Sequence, residues 1–171
     1  MPDNHDPQRL TQLYDTLMEK AHEVIERGQE SGETLVKALK YAVDTVVEMG
    51  EYTREEAQRA SDFLQRDLQD AGTYFQRTRK ELADWLHMDL ELVEWTLLDM
   101  FMSVADRTRV ELDNLSELAE QASHYSTGEI TSPGTLVCDN CGEKLHFRHS
   151  AHIPPCPKCH KSVFSRVSKE D

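Results

Sequence analysis

Glycine and proline are scarce in this 171-residue sequence, with seven and six copies, and they are unevenly placed. Neither occurs between Gly72 and Gly128, a stretch that short strands and turns would have to interrupt. Long apolar runs are also missing: the most apolar window, residues 92–105, is too short to span a bilayer and contains Glu94 and Asp99. The sequence therefore argues against an all-β protein and against a membrane protein.

Recognisable catalytic motifs are missing as well. We find no phosphate-binding glycine loop, no zinc-protease HExxH helix and no nucleophile elbow. The N-terminal residues are polar and acidic, unlike a signal peptide. We therefore expect a non-enzymatic, cytoplasmic protein, in which paired cysteines hold a metal more often than they form disulfides.

Basic residues are under-represented, but only in one part of the chain. The net charge is −13, while residues 129–171 carry five acidic and six basic side chains, which leaves about −14 for residues 1–128. An acidic body repels phosphate backbones, so any nucleic-acid contact has to come from the C-terminal segment. The acidic body is better suited to a basic protein surface.

Apolar residues recur at helical spacing in the first part of the chain. The aspartate–proline pair at residues 6–7 predicts the start of a helix that ends at Gly28, and a second helix ends at Gly50. Thr53 followed by Glu56 predicts a capping box at the start of a third helix. The predicted core positions of the first two helices are Leu10, Leu13, Leu17, Ala21, Val24, Ile25, Leu35, Ala38, Leu39, Ala42, Val46 and Met49.

The helical pattern then continues to about residue 123, at an average spacing near the 3.5 residues of a coiled-coil seam. One unbroken helix would be about 100 Å long and would expose that seam. We therefore predict an antiparallel hairpin that turns near residues 87–89, with a homodimer as the alternative. The predicted core includes Ala60, Leu64, Leu68, Ala71, Trp85, Trp95, Phe101, Val104, Thr108 and Leu112.

The predicted architecture is mostly α, in two parts. An acidic, coiled-coil-like helical hairpin covers residues 1–123, a linker rich in Ser, Thr, Gly and Pro covers 124–135, and a small β zinc ribbon covers 136–171. Strands are expected at residues 136–137, 145–148 and 163–167. So few apolar residues cannot hold the ribbon folded alone, so a metal must supply most of its folding free energy.

Four cysteines carry the clearest chemical signal. Cys138 and Cys141 form one CxxC turn and Cys156 and Cys159 form another, and the spacing between them suits a hairpin. Four thiolates in this pattern surround a zinc ion tetrahedrally at about 2.3 Å. Sulfur fills every coordination position, so we predict one structural Zn²⁺ per chain and no catalytic or other cofactor-binding residue.

The sequence supports other roles for these cysteines less well than a zinc site. A haem-attachment reading of residues 156–160 would require export, and a thioredoxin-like site would require a strand–helix context. A rubredoxin-like iron site uses the same four thiolates, and the sequence does not distinguish it from a zinc site. No histidine is needed as a ligand; the five near the ribbon predict an exposed polar hairpin, or a surface whose charge rises below neutral pH. They are His124, His146, His149, His152 and His160.

Three further segments carry a family resemblance. They are residues 50–54 (Gly-Glu-Tyr-Thr-Arg), residues 66–68 (Arg-Asp-Leu), and residues 128–129 (Gly-Glu) followed by residues 136–138 (Leu-Val-Cys) and the two CxxC turns. With them the chain resembles the YbeL-like bacterial zinc-ribbon proteins over most of its length. The resemblance implies that the four cysteines are metal ligands and supplies no catalytic residue. His160 departs from the glycine common after a second CxxC turn.

Three functions are consistent with these observations. The first is a non-enzymatic adaptor or regulator with an unidentified protein partner. The second is an RNA polymerase-associated regulator, by analogy with proteins that carry acidic residues at the tip of a helical hairpin; here these would be Asp84, Asp89 and Glu91. The third is nucleic-acid binding through the ribbon, where an aromatic residue is interleaved with basic ones. These residues are Lys144, Phe147, Arg148, Lys158, Lys161, Arg166 and Lys169.

Overall fold

A computed structural model describes residues 6–28, 34–72, 95–116 and 124–166. The helices are α1 (Pro7–Arg27), α2 (Leu35–Glu48), α3 (Arg54–Gly72), α4 (Trp95–Arg107) and α5 (Arg109–Ser116). The strands are β1 (His124–Ser126), β2 (Ile130–Thr131), β3 (Gly134–Cys138), β4 (Lys144–Phe147), β5 (Ala151–His152) and β6 (Val163–Arg166). The mostly helical fold with a small C-terminal antiparallel sheet is thus confirmed. Within these ranges, every helix is too short or too polar to cross a membrane.

Helices α1 and α3 begin where the sequence predicts. The Asp6 carboxylate accepts a hydrogen bond of 3.0 Å from the Gln8 backbone N–H. At the start of α3, the Thr53 N–H donates to the Glu56 carboxylate at 2.8 Å, and the Glu56 N–H donates to the Thr53 hydroxyl oxygen at 3.2 Å. This reciprocal pair confirms the capping box.

The helical core is built around α1, which packs against α2, α3 and α4. Tyr14 and Leu17 are fully buried at its centre. Most of the predicted core positions that the structure describes are buried, as the helical spacing indicates. Met49 is a wrong prediction: it is 55% exposed, because it is the C-terminal cap of α2 and lies beyond the last buried turn.

Within residues 95–116, the described part of the second half of the predicted hairpin, the helix is interrupted at Thr108. Helices α4 and α5 meet at Thr108, whose hydroxyl donates to the Val104 carbonyl oxygen at 2.7 Å, while the Leu112 N–H donates to the Thr108 carbonyl oxygen at 2.9 Å. Such a side-chain bond to the preceding turn commonly bends a helix. The predicted turn at 87–89 lies outside the described residues, as do Trp85 and the Trp95 side chain. The hairpin and its coiled-coil seam therefore stay predictions.

The ribbon contains a four-stranded antiparallel sheet in the order β1–β6–β3–β4, with β2 and β5 paired separately. The central strands fix the register: Leu136 lies opposite Leu145 on one side and opposite Arg166 on the other. The three predicted ribbon strands are therefore present, as β3, β4 and β6.

The segment predicted as a linker is also part of this structure. Residues 124–135 contain β1, β2 and the beginning of β3. Tyr125 and Ile130 are fully buried, and Ile130 packs into the core of the helices. The segment 124–135, predicted as the linker to the ribbon, therefore contains strands that pair with β5 and β6. Its strands are too short to show an alternating pattern, and they are rich in residues typical of turns.

Candidate metal centre

The four cysteines meet at one point of the ribbon. Their sulfur atoms all lie within 4.8 Å of one another, and the Cys138–Cys159 and Cys141–Cys156 pairs are each 3.5 Å apart. Four ligands about 2.3 Å from a central zinc lie roughly 3.8 Å apart in a tetrahedron. The distances suit a metal ion and exceed the roughly 2.05 Å of a disulfide. The predicted ligands Cys138, Cys141, Cys156 and Cys159 are thus brought together.

The two CxxC turns have the same backbone geometry. In the first, the Gly142 N–H donates to the Cys138 carbonyl oxygen at 2.9 Å. In the second, the His160 N–H makes the same bond to Cys156, also at 2.9 Å. Both residues adopt the left-handed conformation, with φ of 72° for Gly142 and 60° for His160. The histidine therefore replaces a glycine in an equivalent position, at the cost of an unfavourable backbone angle.

Two thiols of this cluster have pKa values shifted in opposite directions. The backbone N–H of Lys161 and the neighbouring thiols lower the pKa of Cys159 to about 6. For Cys141 the hydrogen bond from the Glu143 backbone acts to lower the pKa, but desolvation and the other three thiols raise it to about 12. Close sulfurs repel one another as thiolates. A divalent cation at the centre would offset this repulsion between thiolates.

The histidines stay outside this set. Among the residues that the structure describes, the only group of three or more side chains arranged to hold a metal ion is the four cysteines. His160 is exposed, and the His146 ring nitrogen instead lies 2.8 Å from the Thr135 hydroxyl.

The second CxxC turn is followed by a turn and β6 instead of a helix, which disfavours a thioredoxin-like site.

The ribbon lies against α3 through a group of charged and aromatic side chains that sequence reasoning did not predict. We call it the docking cluster: Arg66, Asp67 and Asp70 of α3, and Tyr125, Glu129 and Arg166 of the ribbon. Asp67 is fully buried and Arg166 keeps only 4% of its side chain exposed. Buried charges are stable only when they are paired and hydrogen-bonded.

Every charge in the docking cluster has such partners. Asp67 accepts hydrogen bonds of 2.7 Å from the Tyr14 hydroxyl and the Ser132 backbone N–H, and of 3.2 Å from Arg66. Arg66 also pairs with Glu129 and donates to the Ile130 carbonyl oxygen at 2.9 Å. These bonds tie α1, α3 and the ribbon together at one buried residue.

Arg166 occupies the ribbon side of the cluster. It donates to the Thr131 hydroxyl at 2.7 Å and to the Pro133 carbonyl oxygen at 3.2 Å, and it lies 3.9 Å from the Asp70 carboxylate. Burial acts to lower the pKa of Arg166, but the nearby Tyr125 and the Asp67 and Asp70 carboxylates outweigh burial and raise it. The guanidinium is therefore a permanent buried cation.

The Tyr125 ring lies close to both arginines of the cluster. Its ring centroid is 3.8 Å from the Arg66 guanidinium carbon and 5.2 Å from that of Arg166, a distance at which cation–π attraction is effective. Its hydroxyl donates to the Asp70 carboxylate. Burial raises the pKa of Asp70, and burial raises the pKa of Tyr125 well above its ordinary value.

Part of this cluster could have been found in the sequence. The Arg-Asp-Leu segment at 66–68 and the Gly-Glu segment at 128–129 carry the family resemblance, and the structure places them in contact through Arg66 and Glu129. An arginine and an aspartate inside an amphipathic helix give no signal of burial on their own, because both residue types are mostly exposed.

Comparison with known sequences agrees with this geometry. The profile of a family described as a zinc-ribbon containing domain matches residues 22–168. The curated relatives include the proteins named "Uncharacterized protein YbeL" of Escherichia coli strain K12 and of Escherichia coli O157:H7. Each is 28% identical over 91 residues, which is 51% of this chain and 53% of the relative.

The chain thus spans about half the length of the curated relatives it matches. No solved structure matches it. The family profile covers most of the chain, including all four cysteines and both halves of the docking cluster. The chain belongs to the family of zinc-ribbon containing domain proteins.

Proposed function

We propose that this protein is a non-enzymatic, cytoplasmic adaptor or regulator whose ribbon is held by one structural zinc. The observation that carries the zinc assignment is the meeting of four cysteine sulfurs on two equivalent turns. Sulfur ligands from two CxxC turns are typical of structural zinc. Zinc bound by all four would cross-link the two turns and leave no open position for a substrate.

The metal proposal is tested by native mass spectrometry of the purified chain. We expect one zinc per chain, lost in a Cys141→Ser, Cys159→Ser double variant and retained in a Ser162→Ala control, which alters an exposed residue of the same ribbon. If the wild-type protein instead contained iron, with the visible absorbance of an iron–thiolate site, the zinc assignment would be wrong and the centre would be rubredoxin-like.

The adaptor proposal is supported by the charge distribution. About −14 lies on residues 1–128, while the ribbon presents exposed cations. These cations, which we call the ribbon cations, are Lys144, Arg148, Lys158 and Lys161. A surface with one acidic and one basic part suits a partner with opposite charges, because complementary potentials favour encounter and orientation.

Capture from a cell lysate tests this role in the full-length chain. A 1–128 truncation is unsuitable, because it would remove Ile130 from the helical core and Arg166 from the docking cluster. We expect a protein partner that survives nuclease treatment and is lost when Lys144 and Lys161 are replaced by Glu. It should be retained with Lys37→Glu, which alters an exposed position of α2. Absence of a specific protein partner from the wild-type sample would contradict the adaptor role.

Nucleic-acid binding is the second candidate, and the ribbon cations favour it. Its predicted stacking platform does not fit, because Phe147 is only 8% exposed and packs inside the ribbon, and Arg166 is buried against α3. The proposal therefore rests on charge alone, and salt-dependent binding of RNA by the zinc-loaded chain would support it.

The polymerase analogy depends on Asp84, Asp89 and Glu91, which lie outside the described residues.

A further inference from the structure

We propose that the metal occupancy of the four-cysteine site controls the stability of the helical bundle, with the docking cluster as the connection. This inference rests on the zinc site proposed above. It adds that zinc loss destabilises α1 and α3, which lie far along the sequence from any cysteine. The metal-bound ribbon would then stabilise the acidic helices.

The first step of the argument is the path from the cysteines to Arg166. Strand β6 begins four residues after Cys159 and ends at Arg166. It is held in the sheet by β3, where Phe164 lies opposite Cys138, and by β1, where Phe164 lies opposite Tyr125. The strands that carry Arg166 and Tyr125 are therefore fixed by the same register that positions the metal ligands.

The second step concerns what holds this register. The buried cluster of the ribbon is small, and two of its fully enclosed members are the ligands Cys138 and Cys156. Without a metal, the close thiols lack a central cation, and the few apolar residues cannot keep a sheet of this size folded. Metal loss is therefore expected to release β6 and β1 from their places.

The third step is the effect on the helices. Release of the ribbon removes the Ser132 N–H and the Arg166 charge from Asp67 and Asp70, and it withdraws Ile130 from the helical core. A buried carboxylate that loses its partners is strongly destabilising, and so is an emptied apolar site. Asp67 also bonds to Tyr14, so the disturbance reaches α1.

A cleft between the two parts shows what this coupling would change on the surface. It has a volume of about 480 Å³, with Arg9 and Tyr52 on the helical side and Gly128 and His152 on the ribbon side. Arg9 lies over the Tyr52 ring at 4.7 Å and 3.6 Å from the Glu56 carboxylate. Because its walls come from both parts, the cleft keeps this shape only while the ribbon is docked.

Hydrogen exchange followed by mass spectrometry tests the inference on the full-length chain. Samples loaded with zinc are compared with samples treated with a chelator, and the metal content of each is measured. We expect exchange in the peptides of α1 and α3 to accelerate by about tenfold or more after metal removal, because those helices open more often. A change of less than about twofold there, with ribbon peptides strongly accelerated, would overturn the inference while leaving the zinc site intact.

Two variants isolate the connection. Arg166→Met is expected to still bind one zinc while its α3 peptides exchange quickly with or without metal. Arg148→Met removes an exposed cation of the same ribbon, and its zinc content and the exchange of its α3 peptides should match those of the wild type. Should Arg166→Met fail to fold, the hydrogen exchange of the wild-type chain with and without chelator still tests the inference. A wild-type chain that holds no zinc would refute both the proposed zinc site and this inference.

Discussion

The carboxylate of Asp67, buried in the third helix, accepts a hydrogen bond of 2.7 Å from the backbone N–H of Ser132, just before the longest strand of the ribbon. The two residues are separated by 65 positions in the chain. A charged side chain of the helices thus satisfies a backbone donor of the ribbon. Each part thus supplies a hydrogen-bond partner for a buried polar group of the other.

Replacement of Asp67 should therefore be costly. We expect Asp67→Ala to lower the free energy of unfolding by about 3–5 kcal/mol, because Arg66 and the Ser132 N–H lose a buried partner. The control is Asp62→Ala, an exposed residue of the same helix bonded to Gln58, with an expected effect within about 0.5 kcal/mol. Urea denaturation measures both, and similar losses for the two variants would contradict the account.

The apolar contribution of the ribbon to the helical core is tested at Ile130. We expect Ile130→Ala to cost about 2–5 kcal/mol, since the side chain is fully buried among helical residues. Val163→Ala, on an exposed strand position, should cost less than about 1 kcal/mol. Thermal unfolding followed by helical circular dichroism gives the comparison. If Ile130→Ala left the helical transition unchanged, the shared core would be refuted.

The two CxxC turns offer a matched pair of backbone variants. Gly142→Ala places a side chain at φ 72° with no atom within 4 Å of the new Cβ, so its cost of about 1–2 kcal/mol is conformational. His160→Gly relieves the same strain at φ 60°, partly offset by the greater chain entropy of glycine. In a chelator competition, Gly142→Ala should bind zinc more weakly and His160→Gly at least as tightly as the wild type. The reverse order would contradict the equivalence of the turns.

The buried tyrosines predict an alkaline limit to stability. Burial, followed by the Asp67 carboxylate, raises the pKa of Tyr14 well above the 10.0 of an unfolded tyrosine. The unfolded chain therefore ionises first as pH rises, so the stability is fully present below about pH 10 and falls above it. Tyrosinate absorbance and circular dichroism should change together during alkaline unfolding. If Tyr14 and Tyr125 ionised while the chain stayed folded, the expected link between their ionisation and unfolding would be wrong.

The sequence predicts what local patterns encode. The capping box at Thr53 and Glu56 and the helical stripes depend on residues close in the chain, and the structure shows both as predicted. The CxxC spacing likewise leads to the observed meeting of the four cysteine sulfurs. The docking cluster depends on pairing across more than fifty positions, as between Tyr125 and Asp70. Charge and aromatic character at a single position do not reveal such pairing. The strands within residues 124–135 are hidden for a different reason, because they are short and their composition is typical of turns.

The central claim is that the ribbon and the helices form one cooperative unit held by the metal. The most direct measurement is urea unfolding of cobalt-substituted protein, followed by the thiolate–metal absorbance of the ribbon and by the circular dichroism of the helices. We predict coincident transitions, as two-state unfolding of a single unit requires. Loss of the metal signal at a lower urea concentration, with the helical signal intact, would show that the ribbon is an independent module and would contradict the claim.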